Sequence, residues 1–205
     1  MSKAGIILCG GHSQRMGQPK AWLPFGNELL LQRVVRIVGE AVDRVIVVAA
    51  AGQSLPPLPG TVQRIDDRMP DSGPLAGLSA GLDAVDADCL FLSACDAPFL
   101  RSGFVAFLLD SLAKSNVDAA VPYVDDYYPL SSAYRRTIRP VVNDRLHQGQ
   151  LRMKDLFRSV SHQKLKAPAF AAVDPELESL RNINTPDDYE SALFDYNANH
   201  GTKQP

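Results

Sequence analysis

Short apolar runs alternating with segments of helical spacing constrain this chain more than any other feature. Residues 4–8, 44–50 and 88–94 are almost wholly apolar after their first residue, too short for helices and rich in aliphatic side chains. Between the first two, Leu30, Val34, Ile37, Val38 and Ala41 recur at helical spacing across residues 29–42, with charges on the other positions. Residues 75–85 follow Gly73-Pro74, a helix-opening proline, and carry the small residues Ala76, Gly77, Ala80, Gly81 and Ala84, which suit close packing on a sheet. Residues 102–112 predict a third helix. Residues 61–65, 119–123 and 130–135 predict further strands, with weaker helices near 138–146 and 153–159 and a short acidic helix at the end. This alternation predicts an α/β fold, a mainly parallel sheet with helices on both faces.

The length of 205 residues suits one domain, expected over residues 1–198, with a frayed tail at 199–205. Hydrophobic residues make up 45% of the chain, enough for a continuous core without a metal or disulfide staple. A formal net charge of −2 offers no long-range attraction for nucleic acid or anionic lipid, so neither is expected as a partner. Any phosphate must be held by a local basic cluster. The three cysteines, Cys9, Cys89 and Cys95, form no C-x-x-C pair and lie in or beside apolar runs, as buried thiols do. No basic leader precedes a long apolar run, and no window approaches the roughly 20 apolar residues of a membrane span. A cytoplasmic location follows as the expectation.

In a parallel sheet, ligands bind beyond the carboxyl ends of the strands. Two strands here end in chemically useful residues. The first runs into Cys9-Gly10-Gly11 and on to Arg15, Gly17 and Lys20; the second into Cys95-Asp96-Ala97-Pro98. Glycines at 10 and 11 let the backbone approach a ligand closely and turn its N–H groups onto phosphate oxygens. Arg15 adds a two-pronged guanidinium and Lys20 a point charge. The spacing excludes a P-loop, because Gln18-Pro19 separates Gly17 from Lys20 and Ala21 follows in place of Ser or Thr. It also excludes the G-x-G-x-x-G dinucleotide fingerprint, since Gly10 and Gly11 are adjacent. Asp96, at the sheet's carboxyl edge, is a carboxylate placed to ligate Mg²⁺ together with phosphate oxygens.

The string Leu8-Cys9-Gly10-Gly11-His12-Ser13-Gln14-Arg15-Met16-Gly17-Gln18-Pro19-Lys20 resembles the L-x-G-G-x-S-x-R-M-G-x-x-K signature of the nucleotidyltransferase family that includes molybdenum cofactor guanylyltransferase. Cys95-Asp96-Ala97-Pro98 is similar to the family's C-D-x-P motif. Asp66 and Asp67 before Gly73-Pro74-Leu75-Ala76-Gly77 resemble its D-x(n)-G-P-L-A-G segment. Pro129-Leu130 with Tyr134-Arg135, and Asn182-Ile183-Asn184-Thr185-Pro186-Asp187-Asp188, are similar to its later motifs. The resemblance implies a Rossmann-like nucleotidyltransferase fold. Leu8, Cys9, Gly10 and Gly11 would hold the nucleotide, Arg15 and Lys20 would grip its phosphates, and Asp96 would bind both Mg²⁺ and nucleotide. Gap-free counting assigns the nucleotide-contacting aspartate to Asp66, and a one-residue slip to Asp67.

Asn182 and Asn184 would face the acceptor. Thr185 and Pro186 also read simply as the cap and first residue of a helix. The implied substrates are GTP and molybdopterin, with other molybdenum cofactor biosynthesis proteins or apo-molybdoenzymes as partners. The chain departs from the family after the second strand. An asparagine that contacts the base is often present there, whereas this sequence has Ala49-Ala50-Ala51-Gly52-Gln53. That leaves a cytidylyltransferase for molybdopterin, or an enzyme acting on a sugar or alditol phosphate, as the nearer alternatives. A non-catalytic nucleotide-binding protein is the remoter one.

Overall fold

The computed structural model of the chain describes residues 1–10, 18–69 and 72–200. Along the chain, β1 (Lys3–Leu8) is followed by a 3-10 turn at Lys20–Trp22 and a small hairpin of β2 (Pro24–Phe25) and β3 (Glu28–Leu29). Then come α1 (Leu30–Gly39), β4 (Arg44–Ala50), β5 (Gln63–Asp67), α2 (Gly73–Ala84), β6 (Cys89–Ala94) and α3 (Ser102–Ala113). The second half contributes β7 (Ala119–Val124), β8 (Asp126–Tyr127), β9 (Ser131–Arg135), α4 (Arg139–His147), β10 (His162–Leu165) and α5 (Pro186–His200). Residues 201–205, most of the tail expected from sequence, lie outside the described residues.

The main sheet has the strand order β10-β7-β9-β6-β1-β4-β5, with β8 paired to β7. β1 is parallel to both β4 and β6, β4 to β5, and β7 to β10, while β9 runs against β6 and β7. The expected mainly parallel sheet is therefore present.

Alternation along the central strands divides the core into two layers. Ile7, Val47 and Phe91 point to one face and pack with Val34 and Val38 of α1 and Phe104 and Leu108 of α3. Ile6, Ile46, Leu90 and Leu92 point to the other, against Leu75, Leu78 and Leu82 of α2 and Val142 of α4. A third cluster, with Leu23, Phe25, Phe99, Ile183 and Ala192, ties the hairpin and α5 to the carboxyl end of β6.

The small residues of α2 serve the close approach that their pattern predicts. A Cβ on Gly81 would fall 2.6 Å from Ile6 Cδ1 and 2.8 Å from its Cγ2, and one on Gly77 would fall 2.8 Å from Leu8 Cδ2. Overpacking at such a contact costs about 1–3 kcal/mol. Gly81→Val should therefore lower unfolding free energy by about 3 kcal/mol, the upper end of that range, because a branched side chain meets a branched neighbour. Urea unfolding checks this, and a wild-type midpoint would show that α2 can stand off the sheet.

Two local expectations need correction, and one strand goes beyond them. The third strand runs from Gln63 to Asp67 rather than over 61–65, so Asp66 and Asp67 are its last residues. They pair with Ala49 and Ala50 on an edge strand, where charged side chains reach water. Residues 153–158 are 3-10 rather than α-helical. β10, with the sequence HQKL, has no strand signal of its own and exists because it completes the edge of β7.

Candidate active site

β1 and β6 are parallel neighbours, and the connections leaving their carboxyl ends diverge. The chain leaves β1 for β4 on one side and leaves β6 for β7 on the other. Such a switch opens a crevice between the two strand ends. The β1–β6 ladder carries one rung past the end of β6, Cys95 N donating to Leu8 O at 3.0 Å, so residues 8–10 and 95–98 leave the sheet side by side. Arg33 of α1 fixes the second of these segments by donating from Nε to Pro98 O at 2.6 Å.

Lys20 reaches into this crevice from its 3-10 turn. Its Nζ donates to Asp96 Oδ2 at 2.6 Å and to Asn184 Oδ1 at 3.3 Å, joining positions 76 and 164 residues away. The Lys20 and Asp96 side chains are only 18% and 12% exposed, so the pair sits where water screens it weakly. Asp96 Oδ1 is buried and has no hydrogen-bond partner among the described residues.

The C-terminal motif is brought to the same place. Ile183 N donates to Asp96 O at 2.9 Å, setting Asn182 and Asn184 on either side of that contact. Asn182 Oδ1 is a second buried oxygen without a partner among the described residues. Asp188 accepts from Asn184 N at 2.9 Å and Thr185 N at 2.8 Å, while Thr185 Oγ1 accepts from Asp188 N at 3.2 Å. This reciprocal cap starts α5 and fixes the backbone that carries Asn184. The donation from Asn184 N, with those from Thr185, holds the Asp188 carboxyl below its ordinary pKa.

Lys20, Asp96 and Asn184 thus converge, with Leu8, Cys9 and Gly10 at the adjacent strand end and Asn182 beside them. Gly11 and Arg15 lie outside the described residues. Asp66 is not in contact with this group. It lies at the end of β5, exposed and paired with Arg64 at 3.1 Å, while Asp67 accepts from Met69 N. The three cysteines are free and buried, as their apolar surroundings predict. The neighbouring Cys9 thiol and burial push the Cys95 thiol well above its ordinary pKa. A thiol, not a thiolate nucleophile, therefore stands next to Asp96.

A glycine-flanked strand end, a lysine–aspartate pair and a topological switch point converge on nucleotide chemistry, and comparison with known proteins agrees. A model of the MobA-like NTP transferase domain matches residues 5–165. The chain belongs to this family. The molybdenum cofactor guanylyltransferase of Desulfosudis oleivorans is 31% identical over 190 residues, covering 92% of this chain and 93% of that one. A probable molybdenum cofactor guanylyltransferase of Carboxydothermus hydrogenoformans is 34% identical over 194 residues, covering 91% and 93%.

Among solved structures, the molybdopterin-guanine dinucleotide biosynthesis protein A of Archaeoglobus fulgidus shares the fold with a TM-score of 0.80 at 21% identity, over 94% of this chain and 97% of that one. The 2-C-methyl-D-erythritol 4-phosphate cytidylyltransferase of Thermus thermophilus shares it at 0.68 and 18% identity, over 96% and 99%.

Two residues of this MobA-like NTP transferase lay in segments that the sequence reading singled out, but their structural roles escaped it. Asp188 stands three positions after Thr185, the T-x-x-D spacing of a reciprocal cap, which was there to be read. Gln53 was visible only as the residue following a departure from the family pattern. Its carboxamide donates to Cys9 O and accepts from Ala50 N, both at 2.9 Å. No local signal marks it, because its role depends on a gap between two strands.

Proposed function

We propose that this nucleotidyltransferase moves GMP from GTP onto the terminal phosphate of molybdopterin, forming a guanine dinucleotide and pyrophosphate. The observation that carries the reading is the Lys20–Asp96 contact of 2.6 Å in the switch crevice beside Gly10. A lysine ammonium has three N–H donors. Among the described residues, Asp96 and Asn184 engage two of them, and the third would serve a phosphate oxygen, aimed by the other two. The names of the relatives support the acceptor and the base.

An acceptor phosphate oxygen attacks the α-phosphorus in line. The new P–O bond forms as the α–β P–O bond breaks, and its electron pair leaves with pyrophosphate. The acceptor phosphate is already anionic at neutral pH, so no general base is required. The protein's contribution is positioning and charge neutralisation: Lys20, Arg15 and the N–H groups of the glycine loop meet charge that grows on the leaving group.

Asp96 fits a magnesium ion. Its Oδ1 is a buried anionic oxygen with no other partner among the described residues. No group of three His, Cys, Asp or Glu side chains able to hold a metal occurs among those residues, so phosphate oxygens and water would complete the shell, as Mg²⁺ prefers. Bound there, the ion would neutralise triphosphate charge. Asp66 would contact the nucleotide from the end of β5, and Asn182 and Asn184 the acceptor. No helix among the described residues is long and apolar enough to cross a membrane. The three free cysteines suit a reducing compartment, which we take to be the cytoplasm. Proteins of the same biosynthetic route, or apo-molybdoenzymes, would supply the acceptor or take the product.

The missing asparagine after β4 favours testing base choice first. Titration of the four common triphosphates with Mg²⁺ should give tightest binding for GTP, and molybdopterin with GTP should release pyrophosphate. Preference for CTP, or turnover only with a sugar or alditol phosphate, would reassign the substrate. Binding without product for any acceptor would point to a non-catalytic nucleotide-binding protein.

A further inference from the structure

Gln53 occupies a position that a regular sheet would not provide. In a parallel ladder, a residue that donates its N–H to one partner carbonyl accepts on its own carbonyl from the N–H two residues further along that partner. Cys9 N donates to Val48 O at 2.8 Å, so the next β1–β4 rung would run from Ala50 N to Cys9 O. The Gln53 carboxamide stands in that gap. Ala50 N donates to Oε1 at 2.9 Å and Nε2 donates to Cys9 O at 2.9 Å. The turn that returns the side chain closes with Gln53 N on Ala50 O at 3.0 Å. It places Gly52 at φ 72, a conformation glycine adopts without steric cost.

A planar amide with a donor on one side and an acceptor on the other replaces one rung and holds two strand ends apart. On the opposite side of β1, the rung to β6 is direct. The end of β1 is therefore tied tightly to β6 and wedged off β4. The network extends further: Ala50 O also accepts from Arg64 Nη2 at 3.3 Å, and Arg64 holds Asp66 Oδ1 at 3.1 Å. Hydrogen bonds thus connect Cys9 to Asp66 across the ends of β1, β4 and β5.

We propose that Gln53 is a positioning residue for the nucleoside half of the triphosphate, its carboxamide holding open the cleft between the ends of β1 and β4. This rests on the functional reading above, which puts the phosphates at Lys20 and Asp96 on the β6 side. The base and ribose then extend over β4 and β5, where the wedge stands and where this chain lacks the asparagine often present in the family. Base preference in this chain is set by the width and shape of that opening.

Removing the amide lets Ala50 N close directly on Cys9 O. Equilibrium binding of GTP, CTP, ATP and UTP with Mg²⁺ to the whole protein tests the idea, alongside KM, kcat and the thermal unfolding midpoint. Gln53→Met keeps the bulk without the hydrogen bonds, so it remains informative should Gln53→Ala fold poorly. Both variants should weaken GTP binding and raise KM about tenfold, the scale of losing one or two hydrogen bonds that shape a binding cleft. The expected drop in kcat is much smaller, and discrimination among the four bases should narrow with little change in midpoint. Wild-type affinity and base preference in both variants would overturn the wedge while leaving the functional reading intact. A wild-type protein that bound no triphosphate would overturn the functional reading, and the wedge with it.

Discussion

Replacing Asp96 with asparagine should lower nucleotidyl transfer by about 10²–10³-fold and leave the fold in place. The asparagine carbonyl still accepts from Lys20, and the backbone contact between residue 96 and Ile183 N does not involve the side chain. What disappears is the negative charge, with its buried, unpartnered Oδ1, on which a divalent cation would sit. Asp96→Ala should be equally inactive but less clean. It strands the Lys20 ammonium in a position only 18% exposed, and loss of one member of a largely buried pair destabilises by up to a few kcal/mol. The measurement is pyrophosphate release under saturating substrates, with circular dichroism and a melting curve for each variant. Transfer at the wild-type rate by a folded Asp96→Asn protein would remove the metal role from the mechanism.

How far such a site can be read before coordinates exist depends on what holds each part. β1, β4 and β6 are legible because strands buried on both faces need unbroken apolar runs, and those runs are in the sequence. Their carboxyl ends then had to share an edge, so the meeting of Lys20 with Asp96 followed from topology despite 76 intervening residues. Asn184 was legible only through family resemblance. Its place is fixed by a main-chain bond from Ile183 to Asp96 and by the Asp188 cap, and neither bond is encoded near the other residues of the site.

β10 left no trace, since four polar-rich residues become a strand only when β7 offers an edge. Gln53 is the sharpest case. Read locally, Gly52-Gln53 is a turn, and its meaning appears only when the missing rung between Cys9 and Ala50 is seen. Departures from a regular ladder are set by tertiary geometry, so side chains that exploit them are the last part of a site to be read from sequence.

Lys20→Met should cost about as much as Asp96→Asn, roughly 10²–10³-fold in kcat/KM, but through a different deficit. Methionine keeps an unbranched apolar stem in the crevice and removes the charged head. The donor proposed for phosphate is lost, and Asp96 and Asn184 lose the group that links them. Charge-assisted hydrogen bonds of this kind are about twice as strong as neutral ones, and this one lies where solvent screens poorly.

The two variants separate under a magnesium titration. In Asp96→Asn the Mg²⁺ concentration for half-maximal rate should rise, and excess metal should recover part of the activity. In Lys20→Met the midpoint should stay near the wild-type value, and excess metal should recover nothing. Lys20→Arg supplies the complementary control. It restores charge, but its planar fork does not reproduce a point charge held between two oxygens, so recovery should be partial. Full activity in Lys20→Met, or identical magnesium profiles for the two variants, would mean that the ion pair at the centre of the crevice is structural and that the phosphates are gripped elsewhere.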